Sequence, residues 1–157
     1  MAVTLRAIED SDLDALFVWE SDPRAVEMAA FTREDPSDRD AFDAHYERVR
    51  SNPSNTLLAI DDDGEFVGTV ASFMMFGERN VSYWIAPERW GQGVASQALR
   101  ALLAVDPTRP IYGRVADHNV ASAKVLTRTG FVEVGTDTAF AHGVGTQVVE
   151  RIFRLDQ

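Results

Sequence analysis

A chain of 157 residues, 45% hydrophobic and 25% charged, has the size and composition of one globular domain with a core of its own. It has no cysteine, which excludes disulfides, thiolate metal sites and a cysteine nucleophile, and no apolar run nears the roughly 20 residues a membrane helix needs. A net charge of −10 argues against nucleic acid as a partner and leans towards a cationic substrate such as an amine; an acidic N-terminal stretch without an apolar signal segment gives the expectation of a cytoplasmic protein.

Residues 3–10, VTLRAIED, alternate and are predicted as a first strand. In SDLDALFVWESD, Leu13, Leu16 and Phe17 make a helical stripe that Asp10, Ser11 or Asp12 can cap. Asp22 to Pro36 reads as a short helix followed by an irregular segment. SDRDAFDAHYERVRSN sets Phe42, Tyr46 and Val49 at i, i+4, i+7 and is an amphipathic helix. TLLAID, EFVGTVASFMMF and NVSYWIA are three strands, the first two joined by the turn signal DDDG at Asp61–Gly64 and the third stopped by Pro87. A helix follows with Val94, Ala95, Ala98, Leu99, Leu102 and Leu103 on one face. PIYGRVA is a strand, NVASAKVLTRTG a helix with Gly130 at its C-terminal cap, and FVEVGTDTAF and TQVVERIFRL are closing strands. The order β-α-α-β-β-β-α-β-α-β-β implies an α+β domain over residues 1–157. Its mixed, mostly antiparallel sheet carries helices on both faces, and the strand–helix–strand from Val81 to Val115 joins parallel strands. Trp19 and Trp84 are read as core side chains, and the exposed terminal strands make a homodimer plausible.

The stretch PERWGQGVASQAL places Gly91 and Gly93 just before a helix. One reading is a plain turn. A second is a dinucleotide fold, which the pattern G-x-G-x-x-S and the four residues between strand and glycines fit poorly. A third is a pyrophosphate cradle, in which free amides and the dipole of a helix N-terminus meet an anion. Small residues at Gly91, Gly93 and Ala95, and no acid from Arg89 to Ser96, fit the third.

Together, YWIAPERWGQGVASQAL and NVASAKVLTRTGFVEVG resemble the GNAT-type acetyl-CoA-dependent N-acetyltransferases, nearest to the ribosomal-protein N-terminal acetyltransferases. The two motifs cover about the central third of the chain, and the element order covers nearly all of it. The resemblance implies a six- to seven-stranded sheet with a splayed parallel pair, and acetyl-CoA as cosubstrate with no metal. The family's loop falls on Trp90, Gly91, Gln92, Gly93, Val94 and Ala95, with amides from Gln92 to Ser96 on the coenzyme A pyrophosphate. Trp90 replaces the usual Gln or Arg, and neighbouring Arg89 is expected to offer its guanidinium instead. The backbone of Ile85 and Ala86 would meet pantetheine.

Acetyl transfer to an amine needs a deprotonated amine, a stabilised carbonyl oxygen and a thiolate that can leave. By resemblance the oxyanion donor lies around Tyr83 to Ile85. The position where many relatives carry a tyrosine acid is Leu126, which cannot donate. The Asn-x-x-Ser of another subgroup is matched by Asn119 and Ser122, each of which is also a good helix-start residue. With Tyr83, these are the candidate catalytic residues, and Asn119 is also expected to contact the cofactor. Glu34, Asp35, Glu78, Glu88 and His118 are weak candidates for the base, and a water relay is equally open. Selectivity for a small-molecule or peptide amine is expected from EMAAFTREDPSD and from the strands after Phe131. Glu27, Glu34 and Asp35 would meet a cationic amine or simply face water. A non-catalytic acyl-CoA sensor is the alternative to the enzyme.

Overall fold

The computed structural model describes residues 2–157. Its elements are β1 (Val3–Ala7), α1 (Asp12–Ser21), α2 (Pro23–Ala29), α3 (Arg39–Ser51), β2 (Thr56–Asp62), β3 (Glu65–Met75), β4 (Glu78–Ile85), α4 (Val94–Val105), β5 (Ile111–Ala116), α5 (Val120–Arg128), β6 (Val132–Ala141) and β7 (Thr146–Leu155), with a 3₁₀ turn at Pro87–Arg89. Three helices lie between β1 and β2: the short one expected within residues 22–36 is present as α2, although the expected element order counts only two. The short α2 is a helix of its own because Asp22 accepts the Arg24 N–H and Pro23 sits in the first turn, where its missing donor costs nothing. Neither Asp10 nor Ser11 caps α1. The Asp12 carboxylate instead reaches back to the Glu9 N–H at 2.8 Å and pairs with Arg6 at 2.8 Å.

The seven strands form one sheet in the order β1-β2-β3-β4-β5-β7-β6. Every neighbouring pair is antiparallel except β4–β5, the parallel pair expected from the strand–helix–strand unit. Two tight hairpins build its centre. Asp63 and Gly64 turn β2 into β3 with both φ values positive, and Phe76 and Gly77 do the same for β3 and β4. Phe76, expected as the last residue of the strand EFVGTVASFMMF, instead takes φ 56° in the turn and lies exposed at the tip.

The sheet buries both faces. On one, Val70, Val81 and Ile85 pack with Leu99 and Leu102 of α4, Leu126 of α5 and Phe153. On the other, Leu16 of α1 and Phe42 and Tyr46 of α3 cover Leu57 and Trp84. Trp19 packs on Phe66 with ring centroids 5.1 Å apart. Strand alternation therefore sends Tyr83 and Ile85 towards α4 and α5, and Trp84 towards α1 and α3.

Candidate active site

The parallel pair barely pairs. β4 and β5 match only at Asn80 with Tyr112 and Val81 with Gly113, and then diverge. Because the Ala86 N–H donates to Val67 across the β3 ladder, alternation turns the backbone groups of Trp84 and Ser82 towards β3. Those of Tyr83 and Ile85 turn into the gap. Past Val81 they have no strand partner. A cavity of about 1050 Å³ occupies this gap and reaches both faces of the sheet. Its wall runs from Gly91, Gly93–Ser96 and Ser122 on one side to Phe42, Tyr46 and Trp84 on the other.

At the first end lies the glycine loop. Gly91 (φ 76°) and Gly93 (φ 82°) both take left-handed conformations, and Gly93 is the residue just before α4. The first α4 hydrogen bond runs from the Gln97 N–H to the Gly93 carbonyl, and no side chain caps the helix. The amides of Val94, Ala95 and Ser96 are therefore left without helical acceptors, at the positive end of the helix dipole. A β-carbon built at Gly91 meets nothing within 4 Å. The α4 turn carries no acid, while Lys124 and Arg128 of α5 line the same mouth without an ion pair among the described residues. This arrangement suits a phosphorylated ligand and does not depend on Arg89. That guanidinium is held by Asp62 at 3.0 Å and by Glu65, so Arg89 is not the uncommitted cation that the loop was expected to offer.

Two further expectations change. Both backbone groups of Ala86 already have partners inside the protein, its N–H with Val67 and its carbonyl with the Arg89 N–H, so unlike Ile85 it has no free backbone N–H. The Ile85 carbonyl points into the gap but accepts the Trp90 indole N–H at 3.0 Å, leaving the Ile85 N–H as its free group. Trp90 is 42% exposed, and its ring stands over the strand end. Gln92 lies in the loop but outside the cavity wall; its side chain points back to the Glu88 carbonyl.

At the middle of the cavity the fold brings two of the sequence candidates together. The Tyr83 hydroxyl and Ser122 Oγ are 2.6 Å apart, and the Tyr83 O–H also lies 3.2 Å from the Ser122 carbonyl. Burial pushes the Tyr83 phenol up to about 12, and the hydrogen bond to Ser122 only partly offsets it. Tyr83 is thus protonated at neutral pH. Ser122 is placed by Asn119, whose Oδ1 accepts the Ser122 N–H at 3.2 Å as the cap of α5. Leu126 is buried against Gly113 and takes no part.

At the far end, α1, α3 and the segment after α2 form the wall. Glu20 is partly buried there, with one oxygen on Arg33 Nη1 at 2.9 Å and the other on the Tyr46 hydroxyl. Burial raises the Glu20 carboxyl pKa against these two partners. Phe31, Thr32 and Arg33 line this end, as the selectivity segment was expected to, and Glu150 of β7 joins them. Glu27, Glu34, Asp35, Glu78, Glu88 and His118 do not line the cavity. Asp35 holds a turn through Ser37, and His118 Nε2 lies 2.7 Å from the Glu27 carbonyl. Glu20, Trp84, Lys124 and Glu150 were missed, because nothing in their local sequence tells which face they meet.

Against the model of the acetyltransferase (GNAT) domain, residues 2–132 match. The chain belongs to the GNAT acetyltransferase family. No curated protein sequence matches it significantly. Among solved structures, this GNAT domain is similar to RimJ of Mycobacterium smegmatis in complex with CoA-disulfide, at 22% identity and a TM-score of 0.81 over 98% of this chain and 81% of that one. It is also similar to an N-acetyltransferase of Staphylococcus aureus (20%, TM-score 0.78, 99% of each chain). A third is the spermidine N-acetyltransferase of Vibrio cholerae in complex with CoA and spermine (23%, TM-score 0.76, 96% and 94%). At these identities the likeness is one of fold. The seven-stranded, mostly antiparallel sheet with one parallel pair is the GNAT fold.

Proposed function

We propose that this GNAT domain, acting as a single unit, moves an acetyl group from acetyl-CoA to a primary amine by direct attack while both are bound. The observation that carries the reading is the Tyr83–Ser122 contact at the centre of a cavity open to both faces of the sheet. One face presents the uncapped α4 amides, with Lys124 and Arg128 nearby, to the pyrophosphate and phosphate of coenzyme A. Gly91 and Gly93 keep side chains out of that approach. Acetyl-CoA supplies an activated thioester; the chain supplies position and charge.

In the transfer a C–N bond forms and the C–S bond breaks. The free N–H groups of Tyr83 and Ile85 face the gap where the carbonyl oxygen gains charge. The Tyr83 O–H, kept protonated by burial, donates to the departing sulfur, and Ser122 holds it in line and can pass on a proton. The ammonium proton leaves through water at the acceptor end. The alternative, binding without turnover, gives no role to a partly buried, protonated phenol paired with Ser122 inside the cavity.

The test is thiol release from acetyl-CoA across a panel of primary amines. Release with at least one amine, reduced by Tyr83→Phe while acetyl-CoA affinity holds, supports the reading; tight acetyl-CoA binding with no release for any amine overturns it.

A further inference from the structure

The wall of this cavity does not share the charge of the protein. In a chain of net charge −10, two carboxylates line it against six cationic side chains. Three of the six lie at the α4 end, already described. The acceptor end holds the others: Arg33, Arg48 and Arg114.

Both carboxylates there are committed. Glu20 has one oxygen on Arg33 and the other on Tyr46. Glu150 is held by Arg114 at 3.1 Å. Neither is free to anchor a second positive charge on a substrate. The donors, in contrast, are in excess. Arg48, at the rim on α3, makes no ion pair among the described residues. The Nε atoms of Arg33 and Arg114 are buried without a partner, and so is the indole nitrogen of Trp84. Arg114 is fixed besides by Phe76, whose ring lies 4.6 Å under its guanidinium. Buried donors without acceptors are costly unless a ligand completes them. A cluster of N–H donors with spent carboxylates is complementary to oxygen-rich anions and repels a polycation.

Resting on the acetyltransferase reading above, we infer that the acceptor is a small primary amine that carries its own carboxylate, an amino acid, and not a polyamine or an aminoglycoside. The carboxylate meets the Arg48, Arg114 and Trp84 donors while the amine faces the Tyr83–Ser122 pair. The sequence expectation of a cationic amine, drawn from the net charge, is replaced by one drawn from the wall.

Matched probes test this: L-phenylalanine against L-phenylalanine amide and 2-phenylethylamine, and 4-aminobutyrate against its amide, with spermidine as the polycation. Binding to the coenzyme A-loaded protein is read by saturation-transfer NMR, and turnover by thiol release. At least one carboxylate is expected to bind about tenfold or more tightly than its amide or amine counterpart. Arg48→Gln and Trp84→Phe are expected to weaken that carboxylate several-fold and leave acetyl-CoA affinity unchanged; Arg48 is exposed, so its variant folds. Equal or better binding of the amides, or preference for spermidine, overturns the inference. Carboxylate binding with no thiol release from any amine of the wider panel would keep the carboxylate subsite and overturn the acetyltransferase reading, and with it the acceptor role, instead.

Discussion

The hydroxyls of Tyr83 on β4 and Ser122 on α5 lie 2.6 Å apart, although 39 residues separate them in the chain. Tyr83→Phe removes the acidic proton and keeps the packed ring. Turnover is expected to fall about a hundredfold, with acetyl-CoA affinity within about twofold of the parent. Ser122→Ala should cost about tenfold, because the phenol keeps its proton but loses its guide. Single-turnover kinetics and calorimetric binding check both, and a Tyr83→Phe enzyme at full speed removes Tyr83 from the chemistry.

The raised Tyr83 pKa sets the alkaline limit. A phenol with its pKa near 12 stays protonated well past the ordinary value of 10. The acid therefore persists, and kcat should show no alkaline decline attributable to Tyr83 below about pH 11. The same shift makes a contribution to stability that is full below pH 10 and fades as pH rises towards 12. A pH–rate profile with Tyr83→Phe as the reference separates this group from others.

Gly91 tests the cradle apart from the fold. Its φ of 76° is one that asparagine tolerates, and its β-carbon would have open space. Gly91→Asn should leave Tm within a few degrees of the parent and weaken acetyl-CoA about tenfold or more. Gly93→Val also forces a β-branched residue into φ 82°, which adds a strain of about 1–2 kcal/mol. It is therefore expected to lose stability and affinity together. Unchanged affinity in Gly91→Asn would reduce the loop to a turn.

Asp106 contributes to acid stability. Burial opposes its charge, but hydrogen bonds from Ser72 at 2.6 Å, from Thr108 and from Arg79 outweigh it and lower the pKa to about 2. A depressed carboxyl stabilises the fold above its unfolded value and loses that stabilisation as pH falls from about 4 through 2, at most about 2 kcal/mol. Chemical denaturation at pH 6 and pH 2.5 should show this loss in the parent and a smaller one in Asp106→Asn.

Much of the scaffold was legible because it rests on local rules. Leu99 and Leu102 repeat at helical spacing, Asn119 caps α5, and Gly91 and Gly93 mark a left-handed loop before α4. The parallel pair followed from one intervening helix. Other features depended on contacts that no short window contains. Arg89 is already paired because Asp62 and Glu65 sit on the β2–β3 hairpin beside it. Ala86 has no free N–H because the β3 ladder continues one residue past β4. Glu20, Arg33 and Tyr46 meet only when α1, α3 and the loop after α2 fold onto the sheet.

Lys124 is the sole lysine of the chain, and it stands at the mouth where the acetyl donor would enter. Any acetylation of the protein's own side-chain amines thus has a single address. A mass shift at that residue, or its protection from an amine-selective label, would report occupancy of the entrance with no competing lysine signal from elsewhere in the molecule.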